Sequence, residues 1–214
     1  TAAHAINDAV VACTGTDTVM VAGGDYLGNI TLGSTVKILG SWDETFTVQN
    51  LDLHPSRLQG GNSAVRVFAG SGDFGLLDHF ILHDCTGGNS SEPVGGQHGG
   101  AAYVINAAPT FRDCRFIRNR AAVGTGIGYG GAVCVVDGAP IFENCEFTDN
   151  VASSGGAAGV FGASEAAFID CVFAGNVLSD SLSGNLGAGL YVVSGTVTLT
   201  GGGLINNGAA GQGG

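Results

Sequence analysis

One phrase recurs through the second half of the chain: FRDCRFIRN from Phe111 to Asn119, FENCEFTDN from Phe142 to Asn150 and FIDCVFAGN from Phe168 to Asn176. A worn copy, LTGGGLINN, runs from Leu199 to Asn207. Aligned on the cysteine, the copies lie 31, 26 and 31 residues apart, at Cys114, Cys145, Cys171 and Gly202. Self-similarity at such a period leaves few folds open. Each unit is too small to bury its own apolar face and must bury it against the next, which is the rule of a solenoid.

The phrase also dictates how the chain turns. Phe142 to Cys145 is three residues and Cys145 to Phe147 is two, so all three cannot face one side of a straight strand. A bend before the cysteine resolves this, and that position holds Asp113, Asn144, Asp170 or Gly201, types that tolerate a left-handed backbone. A third strand precedes each phrase: AAYVI at Ala101, AVCVV at Ala132, AAGVF at Ala157 and GLYVV at Gly189. The expectation is a right-handed parallel β-helix with three strands per coil, in which equal positions stack at the ~4.8 Å strand spacing.

Four ladders follow from that stacking. Phe111, Phe142, Phe168 and Leu199 form one; Phe116, Phe147, Phe173 and Leu204 form a second. Asn119, Asn150, Asn176 and Asn207 form a third, placed at a turn where stacked amides bond each other and unpaired carbonyls. The fourth is Cys85, Cys114, Cys145 and Cys171, because FILHDCTGGN reads as a degenerate first copy with Cys85 lying 29 residues before Cys114. These thiols fit either buried small hydrophobes or adjacent-coil disulfides. Cys134 falls at an outward position and reads as reactive or bridging.

Upstream, Ile6, Ala9, Val10 and Cys13 share one helical face within residues 2–13, a short amphipathic helix suited to covering the open end of the first coil. Short strands are expected at Thr18–Val21, Asn29–Leu32, Thr35–Leu39, Thr45–Val48, Ala64–Phe68 and Phe74–Cys85, separated by gaps too small for crossover helices. The whole reads as an all-β single domain over residues 1–214: a capping helix at 1–13, N-terminal coils at 14–85 and regular repeats at 86–214, about seven coils in total.

Charge narrows the partners. Seven basic residues stand against eighteen acidic ones, a net charge of −11, which opposes binding to nucleic acid or to an anionic membrane surface. No apolar run reaches the ~18 residues that direct membrane insertion needs. A single lysine, Lys37, and a start at Thr1 rather than Met fit a secreted chain after signal-peptide removal, or a fragment. Calcium is permitted by the acidity but not indicated, and no cofactor is called for. Four of the basic residues, Arg112, Arg115, Arg118 and Arg120, crowd into nine positions. The 31-residue offset carries the first three onto Glu143, Glu146 and Asp149, so cross-coil ion pairs explain them better than an anion site.

The other motifs are weaker. His79 and His83 are four apart, about 13 Å on a single strand and too far to share an ion. The glycine-rich GTGIGYGG from Gly124 has no following helix and reads as a corner. The longer insertions all fall between the Asn position and the next apolar strand, so they project from one edge, and Glu92, His98, Tyr129 and Asp180 are their most interactive side chains. These four are the candidate interaction residues.

The Gly-Gly-Ala, short apolar strand and F-x-[D/N]-C-x-F-x-x-N combination resembles the repeats of chlamydial polymorphic outer-membrane proteins and of secreted bacterial β-helix proteins of the pectin-lyase-like superfamily. It covers about half the chain, from Gly99 to Asn207. The resemblance implies a secreted or cell-surface structural or adhesive protein; no stretch of these residues reads as an autotransporter barrel, so outer-membrane anchoring is not expected from them. An extracellular fibre subunit that stacks through its coil ends is one version, with a homo-oligomer, a cell-surface ligand or a carbohydrate as partner. The resemblance also implies a rival: polysaccharide binding, or cleavage as in pectate lyases, which pair acidic calcium ligands with a basic proton acceptor. Against catalysis, the arginines read as neutralised and no pair of outward carboxylates is evident.

Overall fold

The computed structural model describes residues 2–32, 35–60, 65–67, 75–90, 95–121, 127–179 and 186–209. They are mostly strands, with one short helix, α1 (Ala2–Ala12). The fold is all-β, built on three long parallel sheets that the chain visits in turn. The first sheet takes Thr18–Ala22, Lys37–Trp42, Leu76–Asp78, Thr110–Arg112, Ile141–Glu143, Glu165–Ile169 and Thr196–Thr200. The second takes Gly24–Leu27, Ser56–Gln59, Phe80–His83, Arg115–Ile117, Glu146–Thr148, Val172–Ala174 and Gly203–Ile205. The third takes Ile30–Leu32, Val65–Val67, Ala102–Ile105, Val133–Val136, Ala158–Phe161 and Leu190–Val192. One pass through the sheets is called a level below.

Left-handed residues make the corners. Between the first and second sheets stand His79, Asp113, Asn144 and Asp170 with φ of 57°, 50°, 50° and 52°, and Gly201 at 69°. Asp84, Arg118, Asp149 and Asn206, one residue before each turn after the second sheet, lie at 50° to 55°. The glycine pairs before Ala102–Ile105, Val133–Val136 and Ala158–Phe161 are needed for close approach: a Cβ at Gly131 would strike the Gly156 carbonyl and the Val151 amide of the next level.

Side chains inside the sheets fill the core. Phe111, Phe142 and Phe168 pair in register, their rings stacked at 5.0 and 4.8 Å, and Phe116, Phe147 and Phe173 stack at 4.7 Å. The two columns meet edge to face. Leu199 and Leu204 continue them on the last level and are exposed. Asn150 and Asn176, in the middle of the turn column, make the same four side-chain contacts. Asn150 Oδ1 accepts from the Asn119 amide and Nδ2 at 2.9 and 3.0 Å, while its own Nδ2 donates to Phe116 O and Asn176 Oδ1 at 2.9 Å each. Asn207 ends the column by accepting from Asn176.

The cysteine column differs from its expectation at one end. Cys114, Cys145 and Cys171 stack, free and buried, each thiol turned to the carbonyl two residues before it at 3.2, 3.3 and 3.5 Å. Cys85 is not their continuation. Leu77 pairs with Phe111 and Ile81 with Arg115, an offset of 34 residues that sets Phe80 beneath Cys114. Cys85 instead lies at the foot of the Asn column, its amide donating to Asn119 Oδ1 at 3.0 Å. Burial pushes its thiol up to about 12. Cys134 is also corrected: it faces away from the core but is fully buried under a second apolar layer with Tyr103, Val136 and Phe161, with Tyr129 and Tyr191 packed against them. Burial raises its thiol strongly, so it is no exposed nucleophile.

The N-terminal half holds further differences, among them the expected single strand Phe74–Cys85, which is split by the His79 corner into Leu76–Asp78 and Phe80–His83 of different sheets. Thr45–Val48 is a turn rather than a strand, because the Asp43 carboxylate accepts from the Thr47 and Val48 amides at 2.7 and 3.2 Å and from both threonine hydroxyls. These bonds hold that carboxyl well below the usual range. Gly24–Leu27 is a strand that the glycine and aspartate had hidden. As expected, Ile6 is buried, and α1 lies against the first strand of all three sheets.

Candidate functional site

Most levels turn from the first sheet to the second through one or two residues, but the level of Lys37–Trp42 does so through residues 43–55. This segment is stapled down. The Ser41 and Ser56 hydroxyls accept from each other's amides at 3.1 and 2.7 Å, and Ser41 Oγ donates to His79 O at 2.7 Å. Asn50 Oδ1 accepts from the Asp52 and Leu53 amides, and Gln49 Nε2 donates to Gly40 O at 3.0 Å. A loop so anchored holds its side chains in place over the corner column above it.

Between loop and column lies an open cleft of about 280 Å³, lined by Gln49, Asn50, Leu51, Asp52, His79, Asp113, Cys114, Arg115, Asn144 and Glu146. Its lining is polar. Arg115 spans it, with Nη1 at 2.7 Å from Asp52 Oδ1 and Nε at 3.3 Å from Glu146 Oε2. At the inner wall, Asp78 is 2% exposed and receives Arg112 Nε at 2.9 Å and Gln49 Nε2 at 3.3 Å. His79 Nδ1 lies 3.1 Å from Asp78 Oδ1 and 3.8 Å from Asp113 Oδ2, buried, in an orientation that makes no hydrogen bond. Asn144 Nδ2 donates to the other oxygen of Asp113. Asp78, His79 and Asp113 thus bring three donor atoms within 4.8 Å of one another, a grouping able to hold a metal ion.

The arginine pairs differ from the sequence expectation. Arg112 bonds Asp78 rather than Glu143, although Glu143 is its strand partner above. Arg118 bonds Asp84 through two nitrogens, at 2.9 and 2.7 Å, rather than Asp149. Of the three expected pairs, Arg115 with Glu146 is made. The reason is register: the 34-residue offset sets Asp78 and Asp84 beneath Arg112 and Arg118, so these arginines have acids on both sides and take the lower ones. Nor are outward carboxylates missing, since Asp52, Asp113 and Glu146 share one cleft.

Two of the four candidate loop residues are elsewhere than expected. His98 is fully buried, its ring stacked 5.2 Å from Tyr129, and its Nδ1 accepts from the Tyr129 amide at 3.2 Å. Tyr129 is part-buried, with its ring on Phe161 and Tyr191. Both serve the second apolar layer rather than an open face. Glu92 and Asp180 lie outside the described residues. Sequence reading passed over Asp52, Asp78 and Asp113 and dismissed His79. Aligning Leu77 rather than Cys85 with the repeat would have set His79 beneath Asp113 and revealed the cluster.

A second cleft, of about 250 Å³, borders the same loop, with Trp42, Glu44, His54 and Arg57 in its wall. The Trp42 indole Nε1 there is buried without a hydrogen-bond partner.

No family model matches the chain, and no curated protein matches it. Among solved structures, a crystal structure from Parabacteroides merdae, named for an expected glycosyl hydrolase, is similar at 9% identity with a TM-score of 0.27, covering 94% of this chain and 87% of that one. A likeness this slight carries no argument about activity.

Proposed function

We propose that the chain is a right-handed parallel β-helix of three strands per coil that works outside the cell or at its surface as a rigid, non-catalytic binding scaffold. In this reading the cleft beneath residues 43–55 receives a polar ligand of the carbohydrate class. One observation carries it: the core columns spend their side chains on packing, whereas the stapled loop gathers Asp52, His79, Asp113, Arg115 and Glu146 around an open cavity. A sugar presents hydroxyls that both donate and accept, and this mixed lining offers both kinds of partner. The acidic, nearly lysine-free composition supports an extracellular place and opposes nucleic acid.

A glycan-array screen followed by calorimetry of the strongest hit tests this. Saturable binding that Asp52→Ala and Glu146→Gln abolish supports the reading, and binding untouched by both variants sinks it. Cleaved product in the same mixtures would move the chain into the polysaccharide-cleaving class.

Association of chains through one end is a second reading. Val192, Leu199, Leu204 and Ile205 are exposed on the last described strands of the sheets. At the opposite end α1 covers the first strands, so head-to-tail fibre growth requires that helix to move, whereas pairing of two C-terminal faces does not. Sedimentation velocity over a wide concentration range separates them: a dimer limit supports facing ends, open-ended growth supports the fibre, and a monomer throughout rejects both.

A further inference from the structure

We propose that Asp78, His79 and Asp113 hold a divalent transition-metal ion of the zinc type at the inner wall of the cleft. The proposal does not depend on carbohydrate binding there.

The spacing is that of a ligand set. Zinc binds imidazole nitrogen and carboxylate oxygen at about 2.0 to 2.2 Å, so two ligands on one ion stand roughly 3 to 4 Å apart. His79 Nδ1 is 3.1 Å from Asp78 Oδ1 and 3.8 Å from Asp113 Oδ2. That nitrogen is buried and makes no hydrogen bond despite a carboxylate oxygen within reach, which leaves it without a hydrogen-bond partner in the protein. The supporting contacts are built as well. Arg112 Nε and Gln49 Nε2 fix the two oxygens of Asp78, and Asn144 Nδ2 takes Oδ1 of Asp113, while Oδ2 stands 3.8 Å from both His79 Nδ1 and Arg112 Nε. Outer contacts of this kind orient ligands in protein metal sites.

The donor set also chooses the metal. An imidazole with two carboxylates suits zinc, cobalt, nickel or copper, whereas calcium asks for six to eight oxygens. The Arg112 guanidinium offsets one of the two carboxylate charges, which further disfavours a hard cation held by charge alone. His79 and Asp113 both line the cleft, so the remaining coordination positions open toward it.

The test is calorimetric titration of the full chain, stripped with chelator, with Zn²⁺ and separately with Ca²⁺. One Zn²⁺ per chain at micromolar affinity or tighter is expected, with Ca²⁺ weaker by about 100-fold or more. His79→Asn and Asp113→Asn are suitable variants, because Asn144 already occupies the same left-handed corner column, one level beyond Asp113 and two beyond His79. Each should weaken Zn²⁺ by about 100-fold. Absence of one-to-one Zn²⁺ binding overturns the proposal, as does binding that both variants leave unchanged, or Ca²⁺ bound as tightly as Zn²⁺. Cu²⁺ electron paramagnetic resonance on the unmodified chain decides the matter even where a variant fails to fold: coupling to one imidazole supports the site, and no imidazole coupling overturns it.

Discussion

The levels from residue 110 onward and the corner beneath residues 43–55 share the same sheets but use their side chains in opposite ways. In the levels of Phe111, Phe142 and Phe168, the inward residues repeat as Phe, Cys, Phe and Asn, and in the middle one the phenylalanines and the asparagine meet their own kind on both sides. Polar atoms there are consumed by the column itself. At the corner, Leu77, Phe80 and Leu82 keep the core filled, so the frame continues, but the turn lengthens and the polar residues face a cavity instead of each other. Repetition makes shape, and chemistry collects where repetition is interrupted.

The largest effects should fall in the repetitive part. Phe142 is fully buried, with rings stacked on both sides at 5.0 and 4.8 Å, so Phe142→Ala removes contacts on two levels at once. A loss of about 3 to 5 kcal/mol is expected in denaturant unfolding. A loss below 1 kcal/mol would mean that the column is not the source of rigidity. Asn150→Ala comes next. It takes the acceptor from the Asn119 amide in the turn and removes the bond that Asn150 Nδ2 donates to the Phe116 carbonyl of the adjoining strand. The cost should reach the upper part of about 1 to 3 kcal/mol, and a melting shift no greater than that of a surface control would remove the Asn column from the account.

Asp52→Ala sharpens the contrast from the other side. Asp52 is 72% exposed and its bond to Arg115 is made at the open surface, so stability should change by less than about 1 kcal/mol. Ligand binding, on the proposed reading, should disappear. A variant that unfolds as readily as Phe142→Ala would show that the loop is part of the frame rather than a fitting upon it.

How far the sequence revealed each region follows the same division. Where the phrase repeats, period and residue type agree, and the registers of Phe111 with Phe142 and Phe116 with Phe147 could be read directly. Upstream the phrase loses its aromatic and asparagine markers, and the lone cysteine there invited an alignment five residues out of step. That slip hid the offset of 34, and with it the pairing of Arg112 to Asp78 and the approach of His79 to Asp113. Cys134 misled for another reason. A residue facing away from a sheet is expected in solvent, but Tyr129 and Tyr191 bring a second apolar layer over it, and no strand period announces such a layer.

The smallest predicted effect tests the seam between the two regions. Arg118 belongs to the first full copy of the phrase and Asp84 to the irregular level beneath it; two nitrogens meet two oxygens, and His83 Nδ1 adds a contact at 2.8 Å. The Arg118 hydrogen bonds, more than any other cause, lower the Asp84 carboxyl to about 2. A carboxyl depressed by folding stabilises above its unfolded value, near 4, and that contribution is lost as the pH falls through its folded value. Thermal melting should therefore steepen in its decline between roughly pH 4 and pH 2, and Asp84→Asn should flatten that part of the curve. Asp84 is 39% exposed, so screening keeps the whole contribution under about 1 kcal/mol, and added salt should shrink it further. An identical pH profile in Asp84→Asn would mean that the Arg118–Asp84 pair contributes nothing to the seam, which strand pairing and apolar packing then hold.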